Sequence, residues 1–258
     1  MDKKILISCP VSNRAWVLPY YLRNLYNLDY NKKLIDIYWI VNNSKDNSLE
    51  LLNAFKEEYE NEYNSITIEI YNSKRKFVDD RITEIRREYT YNWLAELRNK
   101  MLKKAVKIDV DFLFSSDSDI LFTKDTLLRL VEHNEDVVAS LIYNGYLYGD
   151  KLGFKYPNIL RELEKPRTYE HISNYRIKNP QENIKGLLIP VDFTGAIFLI
   201  KKDVCANAKF GANLDYGEDE PFCYSARQAG YKLWCDISLY NQHIMSIDLL
   251  DEFKNFGL

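Results

Sequence analysis

Four times within the first 145 residues, a short apolar run gives way to a segment with helical hydrophobic spacing. No other feature of the 258-residue chain limits its fold as strongly. Lys4 to Cys9 is almost continuously apolar, as a strand covered on both faces must be, and Pro10 ends it. Leu18, Leu22, Leu25 and Leu28 then fall on one face of a helix within Ala15 to Leu28. Ile35 to Val41 is the second strand, followed by the helical set Leu49, Leu52, Phe55 and Tyr59. Ser65 to Tyr71 is the third, followed by a helix from Tyr89 to Ala105. Val110 to Phe114 opens the fourth unit, with Thr123 placed to cap a helix through Val131 and Asp125 in its first turn. Val137 to Tyr143 is a further strand. This alternation implies an α/β fold: right-handed crossovers and a mainly parallel twisted sheet with helices on both faces. Ligands of such sheets bind beyond the carboxyl ends of the strands. Those ends carry Ser12-Asn13-Arg14, Asn42 to Asp46 and Asp117 to Asp119.

The alternation stops between Gly145 and Leu187, a stretch holding Tyr146, Tyr148, Tyr156, Tyr169, Tyr175 and several prolines without a clean period. Its aromatic content speaks for a functional loop rather than a solvated linker. Regularity resumes with a strand from Ala196 to Ile200, a helix after Pro221 ending near Gly230, and a strand from Tyr231 to Cys235. A formal net charge of −3 argues against nucleic acid as a partner. No segment approaches the roughly 20 apolar residues of a membrane span, and the apolar run after Lys4 is too short for a signal peptide. Four cysteines without a CxxC pair suggest neither a zinc cluster nor a disulfide framework. The expected setting is cytoplasmic. Nine glycines form neither GxGxxG nor a Walker loop, and no Gly-x-Ser-x-Gly elbow is present.

The sharpest chemical signal is Asp117-Ser118-Asp119, set between Phe112-Leu113-Phe114 and Ile120-Leu121-Phe122. Ionised carboxylates at the end of a buried strand need a cation or strong donors. A hard divalent ion, Mn²⁺ or Mg²⁺, would satisfy them; a surface Asx turn is the plainer reading. Haloacid dehalogenase-type phosphatases use Asp-x-Asp-x-Thr/Val, but here Leu121 takes the Thr/Val position and the motif lies mid-chain. Arg98 falls within the apolar face formed by Trp93, Leu94, Leu97, Met101, Leu102 and Ala105. Its guanidinium cannot be neutralised, so it needs an anion: a structural carboxylate, the metal-site carboxylates or a phosphate. Glu218-Asp219-Glu220 precedes Pro221, which places the acids in a loop just before a helix N-terminus. Capping requires one acid, and there are three. His133 and His171 read as solvated, while His243 gains meaning only if the fold brings it to Asp119.

Taken in order, these segments resemble the nucleotide-sugar glycosyltransferases of the GT-A fold, especially those of the family 2 type. Ile7 to Arg14 looks like the first strand and nucleotide loop of that family, and Val41 to Ser48 like the second. Leu97-Arg98-Asn99-Lys100 is similar to its Arg-Asn pair, and Asp117-Ser118-Asp119 to its Asp-x-Asp motif. Phe193-Thr194-Gly195-Ala196 resembles the sugar-site segment, and Glu218-Asp219 with Arg227 to Tyr231 the acidic helix. The resemblance implies a single domain over 1–258, with a nucleotide-sugar-binding half (1–125) and an acceptor-binding half (126–258). It implies Mn²⁺ or Mg²⁺ on Asp119, Asp117 and His243. It implies a nucleoside-diphosphate sugar, UDP- or GDP-linked, contacted by Pro10, Ser12, Arg14, Asn42, Asn43, Asp46, Arg98, Asp117, Ser118 and Gly195. Asp219 would be the base of an inverting transfer, with Glu218 beside it, and a glycan, lipid-linked carrier or protein hydroxyl the acceptor. A lipid-linked acceptor would be met by peripheral contact with a membrane. The tyrosine-rich loop would stack on sugar and close over the site. Two alternatives follow from the same motifs: a retaining transferase of the mannan-polymerase type, or an inactive nucleotide-sugar-binding domain.

Overall fold

A computed structural model of the chain describes residues 3–73, 84–148, 151–172, 187–247 and 250. In chain order the elements are β1 (Ile5–Val11), α1 (Leu18–Tyr26), β2 (Ile35–Val41), α2 (Ser48–Tyr59), β3 (Ser65–Ile70), α3 (Glu84–Lys107), β4 (Phe112–Ser116) and β5 (Ile120–Leu121). They continue with α4 (Thr126–His133), β6 (Val137–Leu141), β7 (Tyr143–Tyr148), β8 (Lys151–Pro157), β9 (Leu160–Glu162) and β10 (Tyr169–His171). Last come β11 (Leu188–Pro190), β12 (Ile197–Lys201), α5 (Lys202–Asn207), α6 (Asp219–Gln228), β13 (Leu233–Tyr240) and β14 (Gln242–His243).

Eight strands form one sheet in the order β11-β13-β6-β12-β4-β1-β2-β3. The β4-β1-β2-β3 half is parallel throughout, as the alternation predicts. The lone central dissenter is β12, antiparallel to both β4 and β6. Alternate side chains of β1 feed opposite layers. Ile5, Ile7, Cys9 and Val11 pack with α1, α2 and α4, whereas Leu6 joins the layer under α3, α5 and α6. Burial on both faces explains why these strands read as unbroken apolar runs.

Several expectations require correction. Pro10 lies inside β1 rather than ending it; β4 pairs only as far as Ser8, so the missing N–H of Pro10 falls where that side of β1 is unpaired. β4 runs on through Ser115 and Ser116, polar residues that the apolar pattern excludes but that are buried. Thr123 does not cap α4: Asp125 is its N-cap without a side-chain cap bond, and the Thr123 hydroxyl donates to Asp125 Oδ1 at 2.6 Å. The acidic cluster is not confined to a loop, since Asp219 and Glu220 form the first turn of α6, where Pro221 is tolerated. His133 is only partly exposed, its Nε2 3.0 Å from Asp236 Oδ2; His171 is exposed, as expected, with Nδ1 2.8 Å from the Pro157 carbonyl. The Gly145 to Leu187 stretch contains two antiparallel hairpins outside the main sheet, β7–β8 and the three-residue strands β9–β10. Tyr175 and the rest of 173–186 lie outside the described residues. No described helix is long and apolar enough to cross a membrane.

Candidate active site

The loops beyond β1 and β2 are stitched to each other. Asn13, with φ +51°, donates its N–H to Ser44 Oγ at 3.0 Å and accepts from Lys45 N at 2.8 Å. Asp46 accepts from Ala15 N at 2.9 Å and from Ser48 Oγ at 2.6 Å, which fixes the entry to α2 against the entry to α1. Asp46 is thus engaged in holding two loops together. Asn42 and Asn43 are also turned inward. Asn42 Nδ2 donates to the Val11 carbonyl at 3.1 Å, and Asn43 Oδ1 accepts from Ser73 N at 3.0 Å. Ser12 contributes its carbonyl to Arg14 Nη1 at 3.2 Å, and Pro10 its carbonyl to Ser118 Oγ at 3.5 Å.

Arg98 is the hub. It lies 2% exposed on α3, with Nη2 donating to Asp117 Oδ1 at 2.7 Å and Nε to Glu218 Oε1 at 3.1 Å. Nη1 reaches Ser115 Oγ at 3.4 Å, and Asp219 Oδ1 lies 3.6 Å from Nε. The choice of anion left open by the sequence therefore falls on carboxylates from two segments a hundred residues apart. Burial works against the charge of this guanidinium, but Asp117, Asp219 and Glu218 together hold it firmly protonated.

The three acids at the start of α6 have three different surroundings. Glu218 pairs with Arg98. Glu220 is fully buried and accepts from Arg167 at 3.0 and 2.6 Å, Tyr169 Oη at 2.9 Å and Asn213 Nδ2 at 2.8 Å, which clamps the β9–β10 hairpin to the helix. Asp219 stands between them. Its Oδ2 accepts from Ala196 N at 3.3 Å, while its buried Oδ1 has no hydrogen-bond partner among the described residues. Burial pushes its carboxyl up to about 7, with Arg98 opposing and Glu218 and Asp117 adding to the rise.

Gly195 is what lets Asp219 sit there. A Cβ at that position would lie 2.1 Å from Asp219 Oδ2, and the next residue, Ala196, has φ +69°. Gly195→Ala should cost about 1–3 kcal/mol through overpacking and displace the carboxylate as well. Thermal melting and a transfer assay on the same preparation check both effects.

A second cluster gathers around Asp119. Its Oδ2 accepts from Arg14 Nε at 3.0 Å, and its Oδ1 lies 3.4 Å from His243 Nε2. Topology delivers His243: β14 pairs antiparallel with β5, setting His243 opposite Ile120, and Ile244 N donates to the Asp119 carbonyl at 2.8 Å. Asn144 on β7 faces His243 Nδ1 at 2.7 Å, which orients the ring with Nε2 toward Asp119. Burial alone would raise Asp119, but His243 and Arg14 override it and hold the carboxyl down at about 2. Burial alone would lower His243, and Asp119 reverses that shift upward. Asp117 is turned to Arg98, so among the described residues no three His, Cys, Asp or Glu side chains are grouped to hold an ion. Asp119 and His243 still offer one hard oxygen and one imidazole nitrogen, a mixed pair that fits Mn²⁺ better than Mg²⁺, which favours oxygen ligands throughout.

Three contributors escaped the sequence reading: Asn144, Asn158 and Trp93. Asn158 Nδ2 donates to the Gly195 and Ser140 carbonyls at 3.1 Å each, fixing the segment that cradles Asp219. Trp93 Nε1 donates to Asn42 Oδ1 at 3.3 Å. Asparagines outside a motif give no sequence signal, and Trp93 is indistinguishable from its apolar neighbours on the helical wheel.

Comparison with known proteins resolves the family. The profile of the glycosyltransferase family 25 N-terminal domain matches residues 2–240. The chain belongs to glycosyltransferase family 25. Procollagen galactosyltransferase 1-A of Xenopus laevis is 23% identical over 263 residues, covering 98% of this family 25 chain and 42% of the relative. The mannan polymerase complex subunit mnn9 of Schizosaccharomyces pombe is 31% identical over 172 residues, 59% of this chain and 50% of the relative. The chain spans about a quarter to a half of the length of such relatives. A mannosyltransferase from Pyrobaculum calidifontis, solved with GDP-Man and Mn²⁺, superposes with a TM-score of 0.57 at 14% identity, covering 95% of this chain and 57% of that one. The fold is therefore GT-A, as the motif order implied, and the family is 25.

Proposed function

We propose that this chain transfers a sugar from a UDP- or GDP-linked donor to a hydroxyl acceptor, with Asp219 as the base. The observation that carries this reading is the convergence on Arg98 of Asp117 with Glu218 and Asp219, where the buried Asp219 Oδ1 keeps a 3.6 Å ion pair to Arg98 but no hydrogen bond among the described residues. A buried acceptor without a hydrogen bond calls for an explanation, and an incoming hydroxyl supplies one. Asp219 Oδ1 accepts the proton as that oxygen attacks, and a base titrating near the working pH suits the task. Arg98 keeps Asp219 and Asp117 in one rigid frame. Arg14, on the loop beyond β1 and bonded to Asp119, would meet the diphosphate. Asp119 and His243 would hold the divalent ion, whose chemistry when bound is to offset charge on the departing diphosphate. The Mn²⁺ and GDP-Man of the Pyrobaculum structure, and the UDP-GlcNAc bound by the Staphylococcus aureus protein TarS, support this donor class.

Donor hydrolysis and transfer across a panel of UDP- and GDP-sugars, with Mn²⁺ or with EDTA, test the proposal. EDTA and Asp119→Asn should each abolish turnover, and Asp119→Asn should also lose Mn²⁺ affinity by titration calorimetry. Activity indifferent to both would overturn the metal assignment. Product stereochemistry by NMR decides the mechanism: an inverted anomeric centre is expected, and retention would leave Asp219 without its role as base.

A further inference from the structure

Asn42 and Asn43, the polar residues just beyond β2, have their side chains spent on the protein itself. Asn42 donates to Val11 and Ile40 carbonyls and accepts from Trp93; Asn43 donates to the Ser73 carbonyl and accepts from Ser73 N. Neither is disposed to read a nucleobase, and yet the carboxyl ends of β1 and β2 are where the nucleoside of such a donor belongs. We propose that Trp93 is the platform on which the donor's base stacks, an inference that rests on the donor class proposed above.

Trp93 meets the requirements for that role. It lies on α3, partly exposed, and its indole N–H is tied to Asn42 at the end of β2. Tyr71, the residue after β3, is stacked on it with 5° between the ring planes and 5.4 Å between centroids. Tyr71 is itself pinned: its hydroxyl donates to Glu96, and the Lys100 ammonium lies 4.0 Å from its ring centroid while pairing with Glu69 at 2.8 Å. Each ring thus has a polar handle that fixes its plane. A rigid, half-wet aromatic surface loses little entropy on stacking, and every base has a π-face to offer it. Five residues on, the same helix presents Arg98, about 7.5 Å further along the axis, so α3 carries both the ring and the guanidinium that braces Asp117.

Titration calorimetry in Mn²⁺ with UDP, GDP and pyrophosphate (a probe with no base) tests the assignment on Trp93→Leu and Trp93→Phe, with thermal melting confirming that each is folded. Trp93→Leu should weaken binding of the preferred nucleotide about 10-fold or more and leave pyrophosphate unchanged, whereas Trp93→Phe, which keeps a ring but gives up the N–H to Asn42, should lose clearly less. Ligand-induced tryptophan quenching should also shrink in Trp93→Phe. Unchanged nucleotide affinity in Trp93→Leu overturns the proposal. So does an equal loss for pyrophosphate, or a Trp93→Phe defect as large as that of Trp93→Leu. Wild-type protein that binds pyrophosphate but neither nucleotide instead sinks the donor class itself.

Discussion

Asp219→Asn should lower the transfer rate by about 10²- to 10⁴-fold while donor affinity stays near wild type. The amide keeps the size of the side chain and can still accept from Ala196 N, so the cradle of Gly195 and Ala196 is preserved. What is lost is the ability to take a proton. The pH profile separates this from a structural effect. Asp219 titrates at about 7 in the folded protein against an ordinary 3.8, so wild-type activity should climb through neutrality as the carboxylate ionises. The residual activity of the variant should lack that limb. Stability moves the other way. A folded value above the unfolded one means that the native state loses stability as pH rises from about 4 to about 7. Asp219→Asn removes that loss, so the variant should melt higher than wild type at pH 8 and lose the advantage at pH 4. A variant equally inactive but less stable at pH 8 would point to damage rather than to a missing base.

How much of this was legible beforehand follows from physics. Strands covered on both faces announce themselves as apolar runs, and β1, β2 and β3 lie within a few residues of where periodicity puts them. The signal fails where polar residues are buried for a reason outside the strand. Ser115 continues β4 because it pairs with Ser8 on β1 and meets Arg98. β13 runs on to Tyr240 through Asp236, whose charge is met by Arg129 at 2.9 Å and His133 at 3.0 Å on α4. No local pattern encodes those partners. Asp119 and His243 could be suspected as neighbours only through resemblance, since the two-residue ladder joining β5 to β14 is too short to leave a periodicity. The individual assignments to the nucleotide loops carried less information. Asn42, Asn43 and Asp46 sit where the topology expects ligand contacts, but their side chains are engaged in building the loops.

Arg98→Met should be the most damaging single change to the fold. The substitution retains a long side chain among apolar neighbours of α3 but leaves Asp117, Glu218 and Asp219 facing one another without their shared cation. Breaking a buried ion pair from one side costs up to about 3–5 kcal/mol, because the surviving charges lose their partner with little water to replace it, Asp117 being the most accessible of the three. Urea unfolding at pH 5 and pH 8 distinguishes this from lost packing. Arg98 now restrains the rise of Asp219, so without it that carboxyl moves higher still, and the deficit should be larger at pH 8, where ionisation is forced, than at pH 5. An equal deficit at both pH values would assign the loss to packing. Arg98→Lys should rescue little, since a single ammonium cannot span Asp117 on one side and Glu218 on the other as the planar fork does. The same residue therefore joins stability to electrostatics: the bracket that keeps Asp117 and α6 together also opposes the rise that burial imposes on the Asp219 carboxyl.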